Sequence, residues 1–261
     1  MICDAHVHIG QFREYFFPPQ NVLDFLTDAG VERFAVSSTT TCAEDDNRVI
    51  TEMREIIRLG EDRIVPVLWL TPSMILCERI KRMLDCGIPW RCLKIHGYAQ
   101  HWSKDEIEQC VTLAQQLHIP LLFHTGGCDE SNAGSYLNVC KEHPQQLFIL
   151  AHARPIEQCI EVMKQCPNVW TDTSFVPMEY VKKLIQLGFY SRILFGTDFP
   201  MQRICYQEQD PMELYNAQVQ DTKTLMTKKE WESISHSNFE NIFPKRSGTE
   251  FAGYRNHSSK S

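Results

Sequence analysis

The sequence has no long run of basic residues and no long apolar run, and both absences narrow the classes of protein it can encode. Its formal charge of -7 at pH 7 comes from acids scattered along 261 residues. Without a basic stretch to follow a phosphate backbone, nucleic acid and anionic membranes are poor candidate partners. No apolar run approaches the roughly 20 residues of a membrane span. We therefore expect a small-molecule partner, and neither nucleic acid nor membrane.

The sequence also lacks paired cysteine motifs, although it contains 11 cysteines. No two of them form a Cys-x-x-Cys pair and their number is odd. Cys110, Cys140 and Cys159 fall within helical patterns, as small buried apolar residues do. This usage indicates reduced thiols. Because the sequence opens directly on an apolar strand with no basic segment before it, we expect a cytoplasmic protein.

What the sequence does contain is an alternation of short β-rich apolar runs with longer amphipathic segments, such as residues 105–118. The short runs predict strands, and the helical spacing of apolar residues in the longer segments predicts helices. The predicted strands are residues 2–8, 33–38, 64–70, 92–97, 120–125, 147–153, 169–174 and 192–198.

Eight repeats of strand and helix predict a parallel sheet, and the economical closure is a (β/α)8 TIM barrel in a single domain. An open doubly wound sheet is the alternative. A chain of 261 residues that is 43% hydrophobic is sufficient for one such domain. We expect the barrel to span residues 1–244. Residues 245–261 are polar and unpatterned, so we expect a flexible C-terminal tail.

Two histidines two positions apart, His6 and His8, lie in the first predicted strand. Ten histidines in this chain give about 0.4 such pairs by chance, so the spacing alone is a weak signal. In a strand, residues two apart share a face, and barrel active sites form at the carboxyl ends of the strands. Both imidazoles are expected to face inward there, where they suit a divalent transition metal.

Three more residues of metal-ligand type stand at the ends of other predicted strands: His124, His152 and Asp198. Singly, such a histidine is more often satisfied by a backbone carbonyl, and such an aspartate caps a turn. Five at strand ends favour a metal site instead. Metal-bound water has its pKa lowered toward about 7. Asp198 can accept the proton of that water, and His152 can hold an oxyanion or pass a proton.

The chain resembles the amidohydrolase superfamily, and specifically its amidohydrolase-related branch of metal-dependent TIM-barrel hydrolases and decarboxylases. The resemblance rests on DAHVH, LKIHGY, PLLFHTG, ILAHA, VWTDTS and RILFGTDFP, which occur in this order. SNFENIF at residues 237–243 resembles the closing helix of the branch. The branch includes aminocarboxymuconate semialdehyde and resorcylate decarboxylases alongside lactone hydrolases.

The resemblance implies that His6, His8, His124 and Asp198 bind a single divalent ion. That ion is usually zinc in this branch, and manganese is the other candidate. His152 would stand beside it, activating water or polarising the substrate. Related enzymes are often dimers, so the resemblance also allows a homodimer.

Lys94 lies in the fourth predicted strand and is a possible bridging ligand. In binuclear members of the superfamily, a lysine at the end of strand four is carboxylated and bridges two metals. The amidohydrolase-related branch often carries a lysine in a similar setting without using it as a bridge. Both roles stay open for Lys94 on the sequence alone.

Four side chains near the strand ends are candidate substrate contacts. His96 shares a face with Lys94, and Tyr98 follows the same strand. Arg154 and Arg203 follow the sixth and eighth predicted strands, where a guanidinium group can pair with a substrate carboxylate. A structural histidine and ordinary surface arginines are the alternatives.

Three functional classes follow from these residues. The leading one is a metal-dependent hydrolase of a small ester, lactone or amide that uses a metal-activated water. The second is a metal-dependent, non-oxidative decarboxylase of an aromatic or unsaturated carboxylic acid. The third is a catalytically inactive barrel or a phosphoesterase. The complete ligand set disfavours inactivity, and the third and fourth predicted strands lack the glutamate that phosphoesterase barrels usually need.

Overall fold

Runs of β-branched and aromatic residues form one sheet in the computed structural model, which describes residues 1–75 and 77–245. Its nine strands have the order β2-β1-β3-β4-β5-β6-β7-β8-β9. All neighbours are parallel except the hairpin of β1 with β2. The strands are β1 Ile2–Phe12, β2 Tyr15–Phe17, β3 Val31–Ser38, β4 Ile64–Trp69, β5 Cys92–His96, β6 Leu121–His124, β7 Phe148–Ala151, β8 Val169–Asp172 and β9 Ile193–Leu194.

Backbone hydrogen bonds close this sheet into a barrel. The amide of Ala5 donates to the carbonyl of Phe195 over 2.8 Å, and the amide of His8 donates to Phe199 over 2.7 Å. Residues that follow β9 therefore pair with β1, at the other edge of the sheet. The predicted (β/α)8 TIM barrel in a single domain is confirmed, and all eight predicted strands belong to it.

The amphipathic segments between the strands form helices on the outside of the barrel. A capping box of Ser103 and Glu106 begins the helix predicted at residues 105–118. A π-helical turn, Ser233–Ser237, leads into the last helix. The α-helices of the described residues are α1 Pro19–Asp28, α2 Asp46–Gly60, α3 Pro72–Ile75, α4 Glu78–Asp85, α5 Lys104–Leu117, α6 Leu137–Glu142, α7 Ile156–Gln165, α8 Met178–Gln186, α9 Gln202–Cys205, α10 Pro211–Thr224, α11 Lys228–Glu232 and α12 Asn238–Ile242.

Four strands and helices, β2, α9, α10 and α11, are additions to the elements that the sequence predicts. The helix α10 buries only Tyr215, Val219 and Thr222, so its apolar stripe is too narrow to stand out in the sequence. The predicted tail, apart from Lys245, lies outside the described residues. Among the helices of residues 1–75 and 77–245, none has the length and apolar character that a membrane crossing requires. All eleven cysteines are unpaired, as expected for reduced thiols.

Small and branched side chains fill the barrel toward the amino ends of its strands, as in other packed barrels of this type. Ala35, Val67 and Ile149 belong to this inner apolar cluster. Phe239 on the last helix and Phe243 directly after it pack into the same cluster and close the amino end of the barrel. The open end is therefore the carboxyl end of the strands, where the predicted site residues lie.

Halfway along the first strand, the set of alternate residues that faces the barrel interior changes. Cys3 and Ala5 belong to the inner apolar cluster, yet the polar pair that lines the site is His6 and His8. A register irregularity between Asp4 and Val7 separates the two halves of β1. Irregularities of this kind re-aim side chains and recur beside active sites. Without this irregularity, either the pair Cys3 and Ala5 or the pair His6 and His8 would face the interior, but not both.

The carboxylate of Asp4 supports this irregularity from the interior, where the residue is fully buried. It accepts four hydrogen bonds, from the amides of His6 and Thr197, the hydroxyl of Thr197 and the hydroxyl of Tyr215. Burial raises the pKa of Asp4 to about 7, although these four donors act to lower it. Asp4 thus joins the first strand, the segment after β9 and α10.

We predict that Asp4→Ala lowers the free energy of unfolding by more than about 2 kcal/mol, because it leaves buried amide and hydroxyl donors without an acceptor. Urea denaturation followed by circular dichroism measures the change. Asp221→Ala is the matched control, since Asp221 is exposed on α10 and its side chain accepts no hydrogen bond from the described residues. Equal stabilities of the two variants would contradict the role given to Asp4.

Candidate active site

Four polar side chains converge inside the carboxyl end of the barrel. His6 and His8 come from β1, Lys94 comes from β5 and Asp198 follows β9. The Nζ atom of Lys94 lies 2.9 Å from Nε2 of His6 and 3.2 Å from Nε2 of His8. Asp198 Oδ1 lies 3.3 Å and 3.0 Å from the same two nitrogens. All four residues are buried.

Hydrogen bonds on the far side of each ring assign the tautomers of His6 and His8. Nδ1 of His6 lies 2.8 Å from the carboxylate oxygen Oδ2 of Asp172, which can only accept. Nδ1 of His8 contacts the hydroxyl of Ser37 at 2.9 Å and its carbonyl at 3.4 Å. These partners place the proton of each ring on Nδ1. Both Nε2 lone pairs therefore face the centre, as in histidines that ligate a metal.

Three acceptor atoms consequently face one another in a buried space. The Oδ1 atom of Asp198 has no hydrogen-bond partner among the described residues, although it is inaccessible to solvent. Buried acceptors at such distances are unfavourable unless a cation or a donor lies between them. Lys94 supplies one cation to the two imidazoles. The ligand atoms of His6, His8 and Asp198 lie within 4.8 Å of one another, and this donor set fits a divalent ion.

A second chain of hydrogen bonds passes through His152 and His124. Nδ1 of His152 donates to the carbonyl of Ser174 over 3.0 Å, which leaves its Nε2 as an acceptor. Nδ1 of His124 lies 3.0 Å from that Nε2 and so carries the proton. The Nε2 lone pair of His124 is therefore available. His124 does not join the cluster of His6, His8 and Asp198, and its assignment as a fourth ligand stays a prediction.

Burial keeps the imidazoles of the site neutral. Desolvation lowers the pKa of His6, His8, His96, His124 and His152, and the nearby Lys94 lowers most of them further.

The two charged groups of the site are shifted as well. Desolvation lowers the pKa of Lys94 to about 8, while Asp198 and Asp172 oppose this change. Burial acts to raise the pKa of Asp198, but charge interactions within the cluster favour the carboxylate by more, so the net pKa lies below its usual range. Asp198 is therefore a carboxylate at neutral pH.

His152 and Asp198 also share an unusual backbone conformation. Their φ angles are 70° and 61°, in the left-handed region. Histidine and aspartate are enriched among the few residues other than glycine that adopt it. Such strain tends to be retained at functional sites, where the surrounding structure holds it in place. His152 directly follows β7, so its conformation also explains why that strand ends before the predicted end at residue 153.

The cluster opens into a cavity of about 320 Å³. One wall is a stack of flat rings, in which His96 lies between Trp69 and His124 with centroid distances of 4.9 and 3.7 Å. The opposite side is mostly apolar. It includes Phe12, Phe175, Met201 and Ile204.

Two glycines give the mouth of this cavity its shape. A Cβ atom on Gly127 would lie 2.6 Å from the ring of Tyr98, and one on Gly126 would lie 2.8 Å from Cβ of Arg154. Both glycines also have φ angles near 90°, which other residues rarely adopt. The backbone after β6 therefore forms a surface on which Tyr98 and Arg154 lie.

Of the predicted substrate contacts, the structure places His96, Tyr98 and Arg154 along the cavity and Arg203 away from it. Arg203 is exposed on α9, between Met201 and Ile204, which face the cavity. Successive residues of a helix point in different directions, so Arg203 is not among the residues that line the cavity, and its role as a substrate contact stays a prediction.

Sequence reasoning missed three groups that orient the site. Asp172 and Ser174 contact the backside of His6, and Ser174 also contacts His152. Asp4 supports the backbone of His6. A signal for Asp172 exists, because it is an acidic residue near the carboxyl end of the strand predicted at residues 169–174, as the candidate ligands are of theirs. Ser174 ends that predicted strand but is not of a metal-ligand type, and Asp4 lies in the middle of the first predicted strand.

A parallel barrel with imidazoles and a carboxylate gathered at the carboxyl ends of its strands defines a class of protein, the β/α barrels with a candidate metal centre. A family model described as Amidohydrolase matches residues 3–238. The chain therefore belongs to the amidohydrolase family, whose members are generally metal-dependent. This membership supports an enzyme, a hydrolase or a related one.

Solved structures of low sequence identity share the fold. A probable 2-pyrone-4,6-dicarboxylic acid hydrolase from Acinetobacter baumannii has a TM-score of 0.68 and 12% identity, covering 93% of this chain and 98% of that one. Amidohydrolase 2 from Bifidobacterium longum subsp. infantis has a TM-score of 0.65 and 13% identity, covering 94% and 99%. An enamidase of the amidohydrolase superfamily has a TM-score of 0.61 and 15% identity, covering 93% and 66%. A search of curated proteins gave no significant match.

We predict that the metal-free protein loses stability as the pH falls from about 6.5 to 5. Five imidazoles have lowered pKa values, so the unfolded chain takes up protons in this range while the folded chain does not. Each such group contributes up to about 1.4 kcal/mol per pH unit. Asp4, with its raised pKa, acts in the opposite sense but is a single group.

Urea titrations at several pH values measure this dependence. His152→Gln should reduce the slope, because it removes one of the five groups. A free energy of unfolding that stays constant or rises on acidification across this range would show that the imidazoles titrate in the folded protein.

Proposed function

We propose that this protein is a metal-dependent hydrolase of a small ester, lactone or amide. The observation that carries the proposal is the convergence of two imidazole lone pairs on the buried Oδ1 of Asp198, which has no hydrogen-bond partner among the described residues. A site with this arrangement favours a cation. Zinc suits the nitrogen and oxygen donors best, and manganese is the alternative.

The proposed ligands are His6, His8, His124 and Asp198. When bound there, a divalent ion supplies Lewis-acid activation of water and of a substrate carbonyl. Asp172 and Ser37 fix the rings of His6 and His8 through their Nδ1 atoms, which keeps both Nε2 atoms directed inward. His124 would join through its free Nε2 atom.

Asp198 and His152 have separate roles in the proposed reaction. The carboxylate of Asp198 accepts the proton of the attacking water. His152 lies on the other side of His6, with ring centroids 4.9 Å apart. It stabilises the oxyanion that develops on the substrate or passes a proton to the leaving group. The carbonyl and hydroxyl of Ser174 hold its ring in place.

The cavity favours a small, partly apolar substrate. Its volume of about 320 Å³ is at the lower end of ligand pockets. The stacked rings of Trp69 and His96 suit a planar group, and Phe175 adds apolar surface. Arg154 at the mouth provides a guanidinium group for a carboxylate on the substrate, and Tyr98 is the adjacent contact.

We expect hydrolysis in a substrate panel. Lactones, esters and amides are tested by acid release, and hydroxybenzoates and unsaturated acids are tested by release of carbon dioxide. Acid release that disappears with a chelator and returns with zinc or manganese supports the proposal. Carbon dioxide from an aromatic or unsaturated acid, with no hydrolysis in the panel, would favour a decarboxylase instead.

We predict that Asp198→Asn lowers turnover by at least about a hundredfold while most of the metal is retained. The amide keeps an oxygen that can contact the ion but loses the proton acceptor, and general-base catalysis contributes about 10²–10⁴-fold. Metal content and turnover are measured in the same sample.

His6→Ala is the comparison for Asp198→Asn, because it should lose metal and activity together and regain part of the activity at high metal concentration. Near wild-type turnover in metal-loaded Asp198→Asn would show that Asp198 is not the general base. Mass spectrometry of the wild type tests the remaining option, a carboxylated Lys94 that bridges two ions.

A further inference from the structure

A second cluster of metal-ligand side chains lies at the opposite, amino end of the barrel. It consists of Cys3 near the start of β1, His236 in the π-helical turn and Glu240 in α12. One ligand atom of each residue lies within 4.8 Å of the others. Sulfur, nitrogen and oxygen donors of these types together are the set that zinc-class ions bind.

The backbone brings the three residues together through several independent contacts. His236 and Glu240 are four positions apart in continuous helical structure, so their side chains lie on one face. The turn is held against the barrel because the amide of Phe195 donates to the carbonyl of Ile234 over 2.9 Å. Asn238 donates to the carbonyl of Ile193 over 2.7 Å. The helical pair is thus fixed relative to β1.

Each donor of the cluster has capacity for a ligand. The ring of His236 forms no hydrogen bond with the described residues, and its nearest carboxylate oxygen, on Glu32, is 3.9 Å away. Glu240 accepts from Arg33 through Oε1 at 2.6 Å, and its Oε2 atom has no partner in the part of the chain that the structure describes. Cys3 is fully buried beside them.

We propose that Cys3, His236 and Glu240 form a second metal site, for a zinc-class divalent ion. Binding forms a bond between the ion and the sulfur of Cys3, and the thiol proton leaves to solvent. Arg33 stays on the other oxygen of Glu240 and orients the carboxylate. Glu32 lies at the edge of the cluster, with Oε2 3.9 Å from Nε2 of His236.

The role of this ion is structural. It joins the closing helix, which carries Phe239 and Phe243, to the first strand of the barrel. Its position at the amino end agrees with this role, because that end of a barrel serves stability whereas the carboxyl end carries the chemistry. His236 and Glu240 are partly exposed, so an ion can reach the site from solvent.

Cobalt(II) tests the proposal, since a cobalt–thiolate bond gives a near-ultraviolet charge-transfer band that nitrogen and oxygen donors do not. Metal-free wild type loaded with cobalt should show this band. Cys3→Ser should lose the band and should bind about one cobalt ion fewer per chain. Cys205→Ser is the control for the active-site cavity, which Cys205 lines. Cys92→Ser is the control for a buried thiol in the same inner cluster. Both controls should keep the band.

His236→Gln is the second variant, chosen because its partly exposed side chain tolerates substitution without loss of folding. The affinity for cobalt, measured by titration of the thiolate band, should fall by at least about tenfold, because the variant loses a ligand. A wild type without the band, or a band that persists in Cys3→Ser, overturns the proposal. The band is independent of the metal in the active site, so an inactive or metal-free active site leaves this test intact.

Discussion

The carboxylate of Asp4 is the interaction on which the site depends most directly. It accepts the amide of His6, which the irregularity in β1 turns away from the strand ladder, and it accepts two donors from Thr197. Asp198 follows Thr197, and its own amide donates to the carbonyl of His6 over 2.9 Å. The same contacts therefore close the barrel and bring residues from its first strand and from the segment after its last strand to one point.

The electrostatics of the site follow from burial more than from any single ion pair. Taking imidazoles and a carboxylate out of water disfavours every extra charge, so the rings stay neutral and present lone pairs. Asp172 and Ser174 fix the orientation of these lone pairs without adding charge at the centre. Lys94 then provides positive charge beside the acceptors. The arrangement is complementary to a cation before one is bound.

The sequence predicts the architecture well because strand period and strand number determine a barrel almost alone. It also locates His6, His8, His152 and Asp198, since a single rule about strand ends applies to each of them. The same rule applies to Asp172, which lies near the end of the strand predicted at residues 169–174.

Other features depend on geometry that the sequence does not encode locally. Both halves of β1 contain inward-facing residues, and a pattern of alternation cannot reveal that the phase changes after Asp4. The short helix α9 has too few residues for a pattern to show which of them face the cavity, so the sequence does not reveal that Arg203 lies outside its lining. The helix α10 escaped prediction because most of its surface is polar.

The closed amino end of the barrel has a consequence for how molecules enter and leave the site. Phe239, Phe243 and the inner apolar cluster fill that end of the barrel with apolar side chains. In the described part of the chain, the cavity beside Tyr98 and Arg154 is the opening that leads to the candidate metal site. A molecule that enters the site and one that leaves it would use this same opening, so release of the first would have to precede entry of the second.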